Sequence, residues 1–337
     1  MPSLNRESKR KLLPIQITDR DRELFLALMD YRVLTTDQIC HLFFPSLHRT
    51  RKRLAQLWKH GLLARAARPT RLGEGSSQYL YALSRRGQQI LPNVATQQRA
   101  SPSTLRSFSQ HSERINDFRI CLLLAVRMAD DLNLTSWTQG RKLKMVAAPR
   151  YPVITQTTPI IPDAMFTLLH RGRAYTYFLE IDRGTTDLGR IATKCAGYHW
   201  LWQQKAPQRR FGIRSFRVLL VTTTQKRLEH VIHKLQNLRT YSSCPDLIAC
   251  IDFSAVSFST PEKLFAANWQ TISEQGGPIP SCPLPTPSFY RSRQCQEHHP
   301  CADQNPDASC KEPPGPADEG CPRLPGGGSG TPVERRV

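Results

Sequence analysis

The chain has 337 residues, room for two modest domains with extensions, and carries 47 Lys and Arg against 27 Asp and Glu, a formal net charge of +20. No apolar run approaches the roughly 20 residues a bilayer-crossing helix needs. The basic segment 1–13 also lacks the apolar core of a secretory leader, so a cytoplasmic protein without membrane contact is expected. The charge is uneven: residues 1–100 carry 18 basic against 7 acidic side chains, residues 101–270 carry 23 against 12, and residues 271–337 carry 6 against 8. A basic folded part favours polyanions, because each cation placed on a phosphate releases condensed counterions. The plain alternative is a generally basic soluble protein.

Thr18-Asp19-Arg20-Asp21 opens a first helix, with Thr18 as N-cap and acids in its first turn, and Leu24, Phe25, Leu28 and Met29 form its apolar stripe. Thr35 or Thr36 caps a second helix that Pro45 stops. A third helix is predicted from about Leu47 to His60, with Leu54, Leu57 and Trp58 inward and most of its cations outward, and Gly61 ends it. Leu62 to Arg65 and Gln78 to Leu83 then read as two strands of a hairpin around a basic, glycine-containing loop. Three helices followed by a hairpin describe a winged helix-turn-helix over residues 14–91. Such a unit places its third helix in the major groove of double-stranded DNA. His48, Arg49, Arg51, Lys52 and Arg53 on that helix, with Arg68 and Arg71 on the wing, are the DNA-binding candidates. The competing reading is a solvated helix face and a basic loop.

Residues 92–107 are polar and rich in Ser, Thr, Gln and Pro, which predicts a linker. A second domain over 108–275 starts with a helix ending near Asp131. Strands follow at Thr135–Trp137, Leu143–Val146, Ala164–Leu169 and Ala174–Ile181. A helix over about 187–203, a strand at Phe216–Thr222, a helix over 226–238 and a strand at Asp246–Ile251 complete it. This order predicts a sheet flanked by helices, and an α+β protein overall. From Gly276 onward Pro, Gly, Ser and Cys dominate, so 276–337 is read as a disordered tail. Five cysteines are scattered singly through the folded segments, as small buried hydrophobes would be.

Two acids stand out in the second domain. Both close apolar runs that read as strands: Tyr151–Ile161 leads into Asp163, and Ala174–Leu179 leads into Glu180. Carboxylates at the ends of neighbouring strands can share a divalent metal, Mg2+ being the expected ion, through oxygen ligands. In a metal-dependent nuclease a lysine is expected two positions after the glutamate, where this chain has Asp182. Lys194 and Tyr198 lie four apart on the following helix, so they share a face that can point back at the strand ends. The competing reading pairs Asp163 and Glu180 with arginines such as Arg171, Arg173 or Arg183 in a structural network.

These segments together resemble the replication-relaxation family. The resemblance rests on Ile17-Thr18-Asp19-Arg20-Asp21 through Leu57-Trp58-Lys59-His60-Gly61-Leu62-Leu63, and on Tyr81-Ala82-Leu83-Ser84 with Gly87. It continues through His111 with Asn116-Asp117, Trp137, Pro162-Asp163-Ala164, Glu180-Ile181-Asp182-Arg183-Gly184-Thr185 and Lys194-Cys195-Ala196-Gly197-Tyr198. It spans roughly residues 15–240 and leaves the tail outside. It implies a bacterial plasmid or mobile-element protein that binds DNA in replication, relaxation or mobilisation, with relaxase or replication proteins as partners. It also implies a second domain similar to the PD-(D/E)xK nuclease fold. In that setting Asp163, Glu180, Asp182, Lys194 and Tyr198 are the catalytic candidates, with Asp163 and Glu180 as metal ligands. Here the chain departs from the pattern: Thr138-Gln139-Gly140 follows Trp137 where an acid is expected, and Glu113 is the upstream acid left to complete a metal site. Three outcomes stand open: a non-cutting DNA-binding accessory protein, an active Mg2+-dependent endonuclease or nickase, and a winged-helix transcriptional regulator. A homodimer is compatible with each.

Overall fold

The computed structural model of the protein describes residues 14–67, 78–91, 105, 108–147, 158–236, 245–266, 269–272, 278–281 and 283–287. These form a mixed α+β fold. Helix α1 (Asp19–Tyr31) starts at a capping box in which the Thr18 side chain accepts from the Asp21 amide while the Asp21 carboxylate accepts from the Thr18 amide. Strand β1 (Leu34–Thr35) leads into α2 (Thr36–Phe43), where Thr35 and Gln38 form a second capping box. Helix α3 (Leu47–Lys59) is capped by Ser46, and Gly61 takes the left-handed backbone at φ 70° that turns the chain out of it. Strands β2 (Leu63–Ala67) and β3 (Tyr79–Leu83) pair antiparallel, with β1 on the other side of β3, and the short α4 (Arg85–Gln88) follows.

Helix α5 (Gln110–Arg127) is shared by both halves of the fold. Phe118, Cys121, Leu122 and Ala125 cover the large sheet, while Ile120 enters the core of the N-terminal helices. Polar contacts fix the same junction: the Asn116 side chain donates to the Val33 carbonyl at 2.9 Å, Gln38 donates to Asp117 at 2.7 Å, and Arg119 pairs with Asp30. Leu105 is buried against Val33, Leu80 and Ala82. The two halves are therefore joined by packing, while residues 92–104 and 106–107 of the predicted linker lie outside the described residues.

Among the described residues the large sheet has seven strands, in the order β12-β11-β10-β9-β8-β7-β4. Its strands are β4 (Leu132–Gln139), β7 (Ala164–His170), β8 (Arg173–Asp182), β9 (Arg217–Thr222), β10 (Ile248–Asp252), β11 (Trp269–Ile272) and β12 (Pro278–Ser281). The central β8, β9 and β10 run parallel, and the remaining neighbours are antiparallel. Helix α5 covers one face. Helices α6 (Leu188–Gln203) and α8 (Gln225–Gln236) cover the other, with the short α7 (Ala206–Phe211) following α6. A two-stranded sheet of β5 (Met145–Ala147) and β6 (Thr158–Ile160) packs against α6, where Gly197 leaves room for the Ile160 side chain. Among the described residues no helix is long and apolar enough to cross a membrane.

Four expectations need correcting. Within the run read as one strand up to Ile161, the described strand is Thr158–Ile160, and it belongs to the small sheet; Asp163 instead precedes β7. The second domain does not stop at 275, because β12 adds an edge strand and Leu284 is buried in the core. Edge strands tolerate proline, since one side of their backbone needs no ladder partner. Trp58 faces solvent, because Thr50, Leu54 and Leu57 already fill the inward stripe of α3, and its ring stacks under the Arg65 guanidinium at 3.6 Å. Arg53 turns inward to Asp21 and the Gln16 carbonyl, so its guanidinium is committed within the fold.

Candidate functional site

Alternation along β8 decides what the site contains. Successive side chains of a strand point to opposite faces. Leu179 and Ile181 enter the core under α5, so Phe178, Glu180 and Asp182 face the α6 and α8 layer. On α6, Lys194 and Tyr198 sit one turn apart and meet Glu180 from above. The Lys194 ammonium donates to Glu180 Oε2 at 2.5 Å and to the Ile161 carbonyl at 3.0 Å, and the Tyr198 hydroxyl donates to Glu180 Oε1. Lys194 thus reaches the Glu180 carboxylate from the helix rather than from the strand.

Asp163 reaches the same place from the turn before β7. Its amide donates to the Leu179 carbonyl at 3.0 Å, and its Oδ2 accepts from the Ile181 amide at 2.7 Å, which continues the β7–β8 ladder through a side chain. Its Oδ1 lies 2.9 Å from Nε2 of His111 on α5. His111, Asp163, Glu180, Asp182, Lys194 and Tyr198 all line one cavity of about 410 Å³. The five candidates of the second domain are brought together, and His111 joins them. In the sequence His111 appears only as part of the resemblance, because nothing local links the first turn of a helix to an acid 52 residues away.

Burial sets the electrostatics. It pushes the Glu180 carboxyl up to about 7, with the Asp163 charge adding to the effect and Lys194 opposing it. Burial works against the Lys194 charge, yet the Glu180 and Asp163 carboxylates outweigh it and hold the lysine protonated. The Tyr198 hydroxyl is pushed far above its ordinary value by burial and by Glu180, so it stays a donor. The hydrogen bond to Asp163 raises His111 against the opposing effect of its own burial.

Asp182 stands apart chemically. It is buried, accepts from Arg227 Nε of α8 at 2.6 Å and from the Gly184 amide at 3.1 Å, and Arg227 also reaches the Thr186 carbonyl. These bonds make Asp182 an anchor between β8 and α8. Two of the arginines expected to neutralise Asp163 and Glu180 go elsewhere: Arg171 pairs with Asp131 and Arg183 bonds Gln110.

The donor set does not fit a divalent cation as it stands. Mg2+ asks for a near-octahedral set of oxygens, and among the described residues no three His, Cys, Asp or Glu side chains converge to hold a metal. Each oxygen of Glu180 and Asp163 already accepts a proton donor, and Lys194 supplies the positive charge. Glu113 does not complete the set, since it lines a different cavity with Asp37 and Asp117.

In the N-terminal half, His48, Arg49, Arg51 and Lys52 are exposed on α3. Arg68 and Arg71 lie outside the described residues. Sequence reasoning overlooked Arg65, whose guanidinium sits between the Trp58 ring and the Tyr79 ring, 4.3 Å from the latter.

No curated protein and no solved structure matches the chain. The replication-relaxation family matches residues 25–215, a span running from α1 through α7 that takes in α3 and every residue lining the Glu180 cavity up to Tyr198. With more than half of its length matched, the chain belongs to the replication-relaxation family.

Proposed function

We propose that the protein is a DNA-binding accessory factor of plasmid or mobile-element replication or DNA relaxation. Its N-terminal half acts as a winged helix on double-stranded DNA. Its second domain has a PD-(D/E)xK-like architecture that holds DNA or a relaxase or replication protein without efficient cutting. The observation that carries this reading is α3: a 13-residue helix without an acid, whose inward stripe is Thr50, Leu54 and Leu57 and whose exposed face offers His48, Arg49, Arg51 and Lys52. Such a face suits the phosphates and base edges of a major groove. The order of three helices and an antiparallel hairpin supports the same reading.

The saturated carboxylates support the non-cutting role of the second domain. One contact favours the nickase alternative, namely Lys194 placed against Glu180, where it could stabilise charge on a phosphate. Incubation with supercoiled plasmid and Mg2+ or Mn2+, beside Asp163→Ala and Glu180→Ala, separates the two. Duplex binding without nicking is expected. Metal-dependent nicking that disappears in both variants would reverse the assignment. For α3, Arg49→Ala with Arg51→Ala should weaken binding and lower the slope of log affinity against log salt by about 2.

A further inference from the structure

A second basic surface lies away from α3. Two long stretches of the second domain contain no acid: residues 132–162 and residues 188–228. Folding brings parts of them together, because the Arg210 guanidinium on α7 donates to the Lys142 carbonyl at 3.2 Å in the 3-10 turn Arg141–Leu143. Arg141, Lys142, Lys144, Arg209 and Arg210 are all exposed there. Among the described residues none of these five pairs with an acid. Five neighbouring cations without a side-chain counter-charge make a positive potential that draws a polyanion to this face.

The surface leads into a cleft of about 800 Å³ between the two halves of the fold, lined by Arg141 and Lys142 on one wall and by Tyr31, Arg32 and Val33 on the other. Arg32 is held there at φ 68° and ψ −49°, with the Val33 amide bonding back to the Tyr31 carbonyl at 2.9 Å. This is a γ-turn of the rare, strained hand, which persists where surrounding contacts enforce it. Here the Asn116 side chain enforces it by donating to the Val33 carbonyl. The acids of the cleft are engaged, Asp30 by Arg119 and Asp163 by His111.

We infer that Arg32, Arg141, Lys142, Lys144, Arg209 and Arg210 form a second DNA-backbone track, which holds the phosphates of a duplex at the junction of the two halves independently of α3. The inference rests on the proposed DNA-binding function and adds a site to it. A phosphate track needs charge rather than base-edge geometry, so it contributes affinity and salt dependence without sequence preference.

The test is equilibrium binding of the full chain to a fluorescent duplex across a salt series. One variant carries Arg141→Ala, Lys142→Ala, Arg209→Ala and Arg210→Ala; another carries Arg49→Ala and Arg51→Ala. The four-fold variant should lower the salt slope by about 3 to 4, near 0.9 for each phosphate left without its cation. Conserving charge with Arg141→Lys, Arg209→Lys and Arg210→Lys on the otherwise wild-type chain should leave the slope at its wild-type value. Matching thermal melts check folding, because exposed substitutions of this kind leave stability almost unchanged. A wild-type slope in the four-fold variant, with binding abolished in the α3 variant, overturns the track and leaves the proposed function standing. An effect seen with single strands and absent with duplex also overturns it. A wild-type chain that binds no duplex overturns both.

Discussion

The Asp182–Arg227 pair is the most direct test of how the cavity is built. Asp182 occupies the position where a nuclease-like pattern expects a lysine, so it is either part of a working site or part of the scaffold. Its side chain is 3% exposed and that of Arg227 14%, and their contact at 2.6 Å is almost wholly withdrawn from water. Removing one member of such a pair leaves a buried charge without its partner, which costs about 3–5 kcal/mol. Asp182→Ala also strips the Gly184 amide of its acceptor, whereas Arg227 keeps the Thr186 carbonyl. Each single alanine variant should therefore lose about 3 kcal/mol, equivalent to a fall of roughly 6–12 °C in Tm for a domain of this size. The double variant should cost little more than either single one, giving a coupling energy of about 2–3 kcal/mol. Urea unfolding monitored by circular dichroism, with unchanged m-values, measures all three. Additive losses with no coupling, or an Asp182→Ala variant as stable as the parent, would refute the scaffold role.

Three further outcomes follow from the same geometry. Glu180 has a carboxyl held near 7 in the fold against an ordinary 4.5, so the stability it confers is complete below about 4.5 and disappears as pH rises through 7. Relative to the parent, Glu180→Gln should gain on the order of 3 kcal/mol across that window, and a difference independent of pH would contradict it. His111 is raised by its hydrogen bond to Asp163, so its contribution is complete below its ordinary 6.5 and is lost as pH rises through the elevated value. Asp163→Asn should return the His111 titration, followed by NMR, toward 6.5, and an unmoved titration would break the assigned contact. A Cβ on Gly87 would come within 2.3 Å of the Leu62 carbonyl oxygen, whereas one on Gly197 meets the end of the flexible Ile160 side chain at 2.6 Å. Gly87→Ala should cost about 1–3 kcal/mol and Gly197→Ala less; the reverse order would show that the N-terminal backbone yields more easily than a core side chain.

Much of the fold was legible because its signals are local. Thr18 with Asp21 and Thr35 with Gln38 mark helix starts through bonds spanning three residues, and both are present as capping boxes. The apolar runs at Ala174–Ile181 and Phe216–Thr222 fall within one residue of β8 and β9. What could not be read depends on contacts distant in sequence. Arg53 looks like its neighbours Arg51 and Lys52 until Asp21, 32 residues away, claims it. Pro278–Ser281 has the composition of a loop and is a strand because β11 offers it an edge. Trp58 carries a core residue's chemistry, yet the stripe it was assigned to is filled by others.

The same division between local and distant signals governs the candidate site. Strand periodicity places Glu180 on the helix-covered face, and helix periodicity places Lys194 beside Tyr198; each follows from a few neighbouring residues. Which atoms those groups then occupy is a tertiary matter, and it decides the chemistry. A carboxylate pair read as metal ligands has a different meaning once an ammonium, a phenol, an imidazole and a backbone amide each hold one of its four oxygens. A cation entering there would have to displace a lysine from a glutamate in a buried setting, where unpairing a charge is costly. The arrangement that best explains why Glu180 is tolerated inside the fold is therefore also the one that withdraws it from metal binding.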